Sequence, residues 1–105
     1  MTNEEFYYKL VEYQSMGLVF CSPKTKNVNG YLPYKIGRRL LFISKSIEDF
    51  LSEVENKYDQ KQLFSQHEIE CYYGRTHSFI QGLTNKSEIL KFESGGIRLY
   101  VLKDE

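Results

Sequence analysis

The sequence predicts an α+β fold: one domain over residues 1–105, with two helices and a mainly antiparallel sheet of about six to seven strands, ordered helix, three strands, helix, four strands. Three observations carry this reading. Two segments place apolar residues at helical spacing behind a capping signature. Short runs of strand formers lie between and after them. Two glycine-marked turns interrupt the last forty residues.

The first helix is expected over residues 3–15. Thr2-Asn3-Glu4-Glu5 has the form of a capping box, Phe6, Leu10 and Tyr13 recur at helical spacing with Tyr7 and Val11 beside them, and Gly17 marks the stop. Residues 18–21 are an apolar run too short for a helix and rich in strand formers. The loop 22–30 ends in the turn dipeptide Asn29-Gly30. Residues 31–36 form a strand that belongs at an edge, because Pro33 cannot donate to a ladder. Gly37 breaks it before a third strand over 38–44. Ser46-Ile47-Glu48-Asp49 resembles a second capping box, and Ile47, Phe50, Leu51, Val54 and Tyr58 then give the clearest helical period in the chain, a helix over 46–58.

Residues 60–66 read as a connector. Gly74-Arg75 suits a two-residue hairpin turn that pairs Tyr73 with Thr76, Cys71 with Ser78 and Ile69 with Ile80. Residues 84–87 form a polar loop. Gly95-Gly96 closes a second hairpin, pairing Phe92 with Leu99 and Leu90 with Val101 on one face and Glu93 with Arg98 on the other.

Composition narrows the function classes. Apolar residues make up 41% and charged residues 27%, a soluble balance, and no run of eighteen apolar residues offers a membrane span. The acidic N-terminus lacks the apolar core of a secretory signal, so a cytoplasmic protein is expected. Alanine and tryptophan are absent, so the nine Tyr and seven Phe must fill much of the core. Phe, Tyr, Met, Ile, Asn and Lys number 40 against 13 for Gly, Ala, Arg and Pro, which indicates AT-rich coding and suggests a phage or mobile-element origin.

Catalytic signatures are sparse. The chain has no glycine-rich phosphate loop, nucleophile elbow, metalloprotease histidine pair or calcium loop. Of the soft ligands Cys21, His67, Cys71 and His77, the middle two would stand about 13 Å apart on a strand. That is too far for one ion, so no metal and no cofactor are expected, and the cysteines read as small buried hydrophobes. The best acid–base set is Tyr72, Arg75 and His77 around the first hairpin turn, with Tyr72 opposite His77, as a small metal-independent ribonuclease would need. It is too thin to predict an enzyme.

Charge is segregated along a chain whose total is zero. From Tyr13 to Ser46 there is no acid and the sum is +6; from Ile47 to Glu70 it is −5. Lys24, Lys26, Lys35, Arg38 and Arg39 interleave with Tyr31 and Tyr34, the mixture that holds phosphates and stacks on bases of single-stranded nucleic acid. The second helix carries Glu48, Asp49, Glu53, Glu55 and Asp59, an acidic face suited to the basic groove of another protein. Tyr31, Tyr34, Tyr72 and Tyr100 are expected off the main core face, where tyrosine serves interfaces. The function expected from these features is a small non-enzymatic inhibitor that binds another protein. Its target would be a nucleic-acid enzyme, either a defence nuclease, in an anti-CRISPR type of role, or a cognate toxin, as an immunity protein. A single-stranded nucleic-acid-binding module or a small metal-independent ribonuclease is the alternative.

Overall fold

Thr2 starts the first helix as its sequence predicts: its hydroxyl accepts from the Glu5 amide at 3.1 Å, and α1 runs Asn3–Ser15. The structure is a computed structural model that describes residues 1–23 and 28–103. After α1 come β1 (Val19–Ser22), β2 (Tyr31–Ile36), β3 (Arg39–Ser44), α2 (Glu48–Asp59) and β4 (Leu63–Ser65). Then follow α3 (Gln66–Tyr73), α4 (His77–Asn85), β5 (Ile89–Ser94) and β6 (Ile97–Leu102). The α+β class holds, with four helices where the sequence suggested two.

The strands form two antiparallel three-stranded sheets, ordered β1-β3-β2 and β4-β6-β5, in place of one larger sheet. Pro33 lies in β2, an edge strand. The last hairpin has the predicted register: Phe92 opposes Leu99, Leu90 opposes Val101 and Glu93 opposes Arg98. Helix α2 begins two residues later than expected. Ile47 is its N-cap without a side-chain hydrogen bond, because the Ser46 hydroxyl is turned to that of Ser44 at 2.8 Å.

The hairpin expected around Gly74-Arg75 does not form, and the connector before it contains β4. Residues 66–73 and 77–85 are helical for local reasons. The Ser65 hydroxyl accepts from the Glu68 amide at 3.3 Å while the Glu68 carboxylate accepts from the Ser65 amide at 3.0 Å, a complete capping box. Gly74 then closes α3 in the left-handed region, φ 64° and ψ 32°, where a side chain would be strained. Ile69 and Ile80, expected to pair across strands, instead descend from two helices onto one cluster with Ile89 and Tyr100.

The main core joins both halves of the chain. Phe6 and Leu10 of α1 and Phe50 and Val54 of α2 meet Leu41 and Ile43 of the first sheet and Phe92, Leu99 and Val101 of the second. The second sheet is therefore covered twice, by the main core on one face and by α3 and α4 on the other. Tyr100 lies off the main core face, as its register predicts, but α3 and α4 cover that face and leave it 1% exposed, so it offers no interface. For Tyr34 the expected place is corrected: it alternates with exposed Pro33 and Lys35 on β2 and packs edge-on against Tyr58 of α2, 5.5 Å between ring centroids.

Candidate nucleic-acid interface

An eight-residue helix, a three-residue turn and a nine-residue helix form one unit. Its second helix turns Ile80 into the core and packs Phe79 and Leu83 against the same cluster. Ser78, Gln81 and Asn85 are left exposed. No acid occurs from Cys71 to Ser87, while Arg75 and Lys86 do. The two helix starts are tied together, with Gln66 Nε2 3.2 Å from His77 Nδ1.

A cleft of about 760 Å³ opens beside this unit, where three segments converge. The β2–β3 turn contributes Gly37, Arg38 and Arg39; the start of α3 contributes Gln66, His67, Glu68 and Glu70; the β5–β6 turn contributes Gly96 and Arg98. Gly37 fixes this convergence. A Cβ on it would stand 2.5 Å from the Ser65 hydroxyl, so only glycine lets the arginine-bearing turn rest on the N-cap of α3. Among the described residues neither Arg38 nor Arg39 is in an ion pair, so both guanidiniums keep their donors for an anion. Glu68 is committed to the capping box. Arg98 lies 3.5 Å from Glu93, whose carboxyl is held below its ordinary value by a hydrogen bond from Lys91, the charge of Lys91 and, less, that of Arg98. A shallower depression of about 450 Å³, sharing His67 and Glu70, continues the groove along α3 to Arg75 and Thr76 at the turn.

The residues predicted from sequence divide unevenly over this surface. Arg38 and Arg39 line the cleft, and Lys35 is exposed on the edge strand. Tyr31 is half-buried, its hydroxyl donating to the Gly17 carbonyl at 2.6 Å and its ring edge-on to Phe20. Buried Tyr34 has no face for a base. Lys24 and Lys26 lie outside the described residues. The acidic residues Glu48, Asp49, Glu55 and Asp59 are exposed on α2 and Glu53 is half-exposed; Glu55 accepts from the Tyr34 hydroxyl at 3.4 Å.

The Tyr72, Arg75, His77 set loses the hairpin that would face Tyr72 to His77. Tyr72 leans on Phe64 and Tyr73, Arg75 lies over the Phe79 ring at 4.3 Å, and His77 meets Gln66. The reverse correction applies to His67 and Cys71. On a helix they are one turn apart, with Cys71 Sγ 3.6 Å from His67 Nε2, and Cys71 is exposed. Cys21 is buried as expected, which pushes its thiol up to about 12. Among the described residues no three His, Cys, Asp or Glu side chains gather to hold a metal ion. No described helix is long and apolar enough to cross a membrane.

Gln66, Ser78, Gln81, Asn85 and Arg98 were not candidates from sequence. For the helical residues among them the signal was the Ser65-x-x-Glu68 box, followed nine residues after its start by a glycine stop. Compared with known proteins, the chain matches no family model, no curated protein and no solved structure.

Proposed function

We propose that the protein is a non-enzymatic binding module that docks on duplex DNA, with α4 as the helix that enters the major groove. The observation that carries this is the helix, glycine-started three-residue turn and acid-free second helix, set beside a cleft with three arginines. Arg38, Arg39 and Arg98 hold phosphates around the start of α3, and the β5–β6 hairpin flanks the unit. A duplex fits better than a single strand because Tyr31 and Tyr34, the tyrosines that interleave with the basic block, are half-buried and buried.

Fluorescence anisotropy with labelled duplex and single-stranded DNA over a salt series tests the reading. The duplex should bind more tightly, and Arg38→Ala with Arg39→Ala should lower the slope of log affinity against log salt by about 2. Absence of duplex binding at low salt, or equal affinity for the single strand, would sink the proposal.

A second reading is protein capture: a cytoplasmic inhibitor, phage or mobile-element encoded, that blocks a defence nuclease or a toxin. It is favoured by the acidic face of α2, where, among the described residues, no cation closes on Glu48, Asp49, Glu53, Glu55 or Asp59. Such a face competes with phosphates for a basic groove. Converting Glu48, Glu55 and Asp59 together to Lys should abolish capture of the target in a pull-down from the native host. Retained capture by the folded triple variant would exclude this face.

A further inference from the structure

The outer surface of α4 differs in kind from those of the longer helices. Helix α1 exposes Glu4, Glu5 and Glu12, and α2 exposes a row of acids, as solvent-facing helices commonly do. Helix α4 exposes Ser78, Gln81 and Asn85, which stand at i, i+3 and i+7 and so form one stripe. Each is uncharged and carries hydrogen-bonding groups that neighbouring described side chains leave unused. The stripe presents one hydroxyl and two carboxamides.

Gly82 lies on the same flank, in the interior of the nine-residue helix. Its backbone is ordinary helix, and a Cβ built on it would meet nothing within 4 Å. Packing therefore does not require glycine there, and glycine weakens a helix interior relative to other residues. The remaining use of a glycine at an unobstructed helical position is close approach by something from outside.

Resting on the duplex-DNA reading, we infer that α4 is selective for adenine-containing base pairs, with Gln81 and Asn85 as the reading side chains and Gly82 as the point of closest approach. The major-groove edge of adenine presents the N7 acceptor and the N6 donor side by side, and a carboxamide matches both at once. Ser78 accepts or donates and adds no preference of its own. The rise from Gln81 to Asn85 is about 6 Å along the helix. At about 3.4 Å per base pair, the two amides reach adenines roughly two steps apart. The acid-free stretch around them and the arginines of the neighbouring cleft supply the phosphate contacts that seat the helix.

The test begins with selection of bound duplexes from a random-sequence library by the whole chain, followed by anisotropy on the selected duplex. The selected site should carry two adenines about two base pairs apart. Replacing them with 7-deazaadenine, which lacks the N7 acceptor, should weaken binding about tenfold or more. Gln81→Ala and Asn85→Ala should each erase the preference for adenine at one position of the selected duplex. Gly82→Ala should raise thermal stability and still weaken the selected duplex. Duplex binding with no enriched sequence, or a selected duplex indifferent to 7-deazaadenine and to both amide substitutions, would overturn the inference and leave arginine-based docking standing. Failure to bind any duplex would overturn both.

Discussion

The Tyr34 hydroxyl donates to a Glu55 carboxylate oxygen at 3.4 Å, and its ring is enclosed between β2 and α2. Burial first, then the charge of Glu55, its acceptance of the phenol hydrogen bond, and Asp59 raise this phenol from 10.0 to about 12. A proton held more firmly in the folded state than in the unfolded chain contributes stability that is complete below about pH 10 and lost as pH rises toward 12. Cys21, also near 12, and Tyr7, Tyr73 and Tyr100 are raised in the same direction by burial, so the whole protein should weaken over this alkaline window. Tyr34→Phe isolates one part of the loss. Urea midpoints measured from neutral pH to about pH 12 should show the gap between wild type and variant changing in favour of the variant above pH 10. A gap that stays constant across the window would show that the Tyr34 proton is not held by the fold. The same residue shows why a tyrosine on an edge strand is misread from sequence alone: alternation places it on one of two faces, and only the docking of α2 decides which face is core.

At the scale of elements, what was legible was what the chain writes locally. Thr2 and the Phe6–Leu10 spacing place α1, and the Glu93–Arg98 pair with its glycine turn places the last hairpin in register. Pro33 names its own edge, because a missing donor needs no tertiary context to matter. The region 60–85 failed because two local signals compete there. Gly74-Arg75 suits a hairpin turn, and the alternation of Ile69, Cys71 and Tyr73 suits a strand; Ser65, Glu68 and Gly74 suit a capped and stopped helix. The helix prevails because Ile69 on α3 and Ile80 on α4 both reach Tyr100 and Ile89, closing a second core over a sheet face that would otherwise lie open. That error hid the candidate interface. Read as a strand, His67 and Cys71 stand far apart, Ser78 and Gln81 fall on opposite faces and Asn85 falls in a loop. Read as helices, the first pair meet at 3.6 Å and the second set align. Arg38 and Arg39 were visible as charge, but their place in the cleft beside the start of α3 depends on Gly37 resting against Ser65, a tertiary fact.

The whole molecule is built so that the candidate DNA-binding half depends on the other. Residues 61–103 contain β4, α3, α4, β5 and β6, a sequence-contiguous unit with its own small cluster of Ile69, Ile80, Ile89 and Tyr100. Its sheet, however, turns Leu63, Leu90, Phe92, Ile97, Leu99 and Val101 the other way, into the core shared with α1, α2 and the first sheet. Polar contacts repeat the dependence: the Cys21 backbone amide donates to the Ser94 hydroxyl at 3.1 Å, the Tyr7 hydroxyl to the Lys91 carbonyl at 2.9 Å, and the Asn3 side-chain Nδ2 to the Leu102 carbonyl at 2.7 Å. Cut away from residues 1–60, the unit would return six apolar side chains to water, at a cost of about 10 kcal/mol or more. That is comparable to the whole stability of an ordinary domain, about 5–15 kcal/mol. A fragment of residues 61–103 should therefore lack the dispersed amide spectrum of a folded protein, and it should lose duplex-DNA binding, because α4 is no longer fixed and Arg38 and Arg39 are missing. Mixing it with a fragment of residues 1–60 should restore structure if the shared core drives assembly. A fragment of 61–103 that folds alone, with a sharp unfolding transition, would show that the helix–turn–helix unit is an independent domain and that the first half of the chain serves a separate purpose.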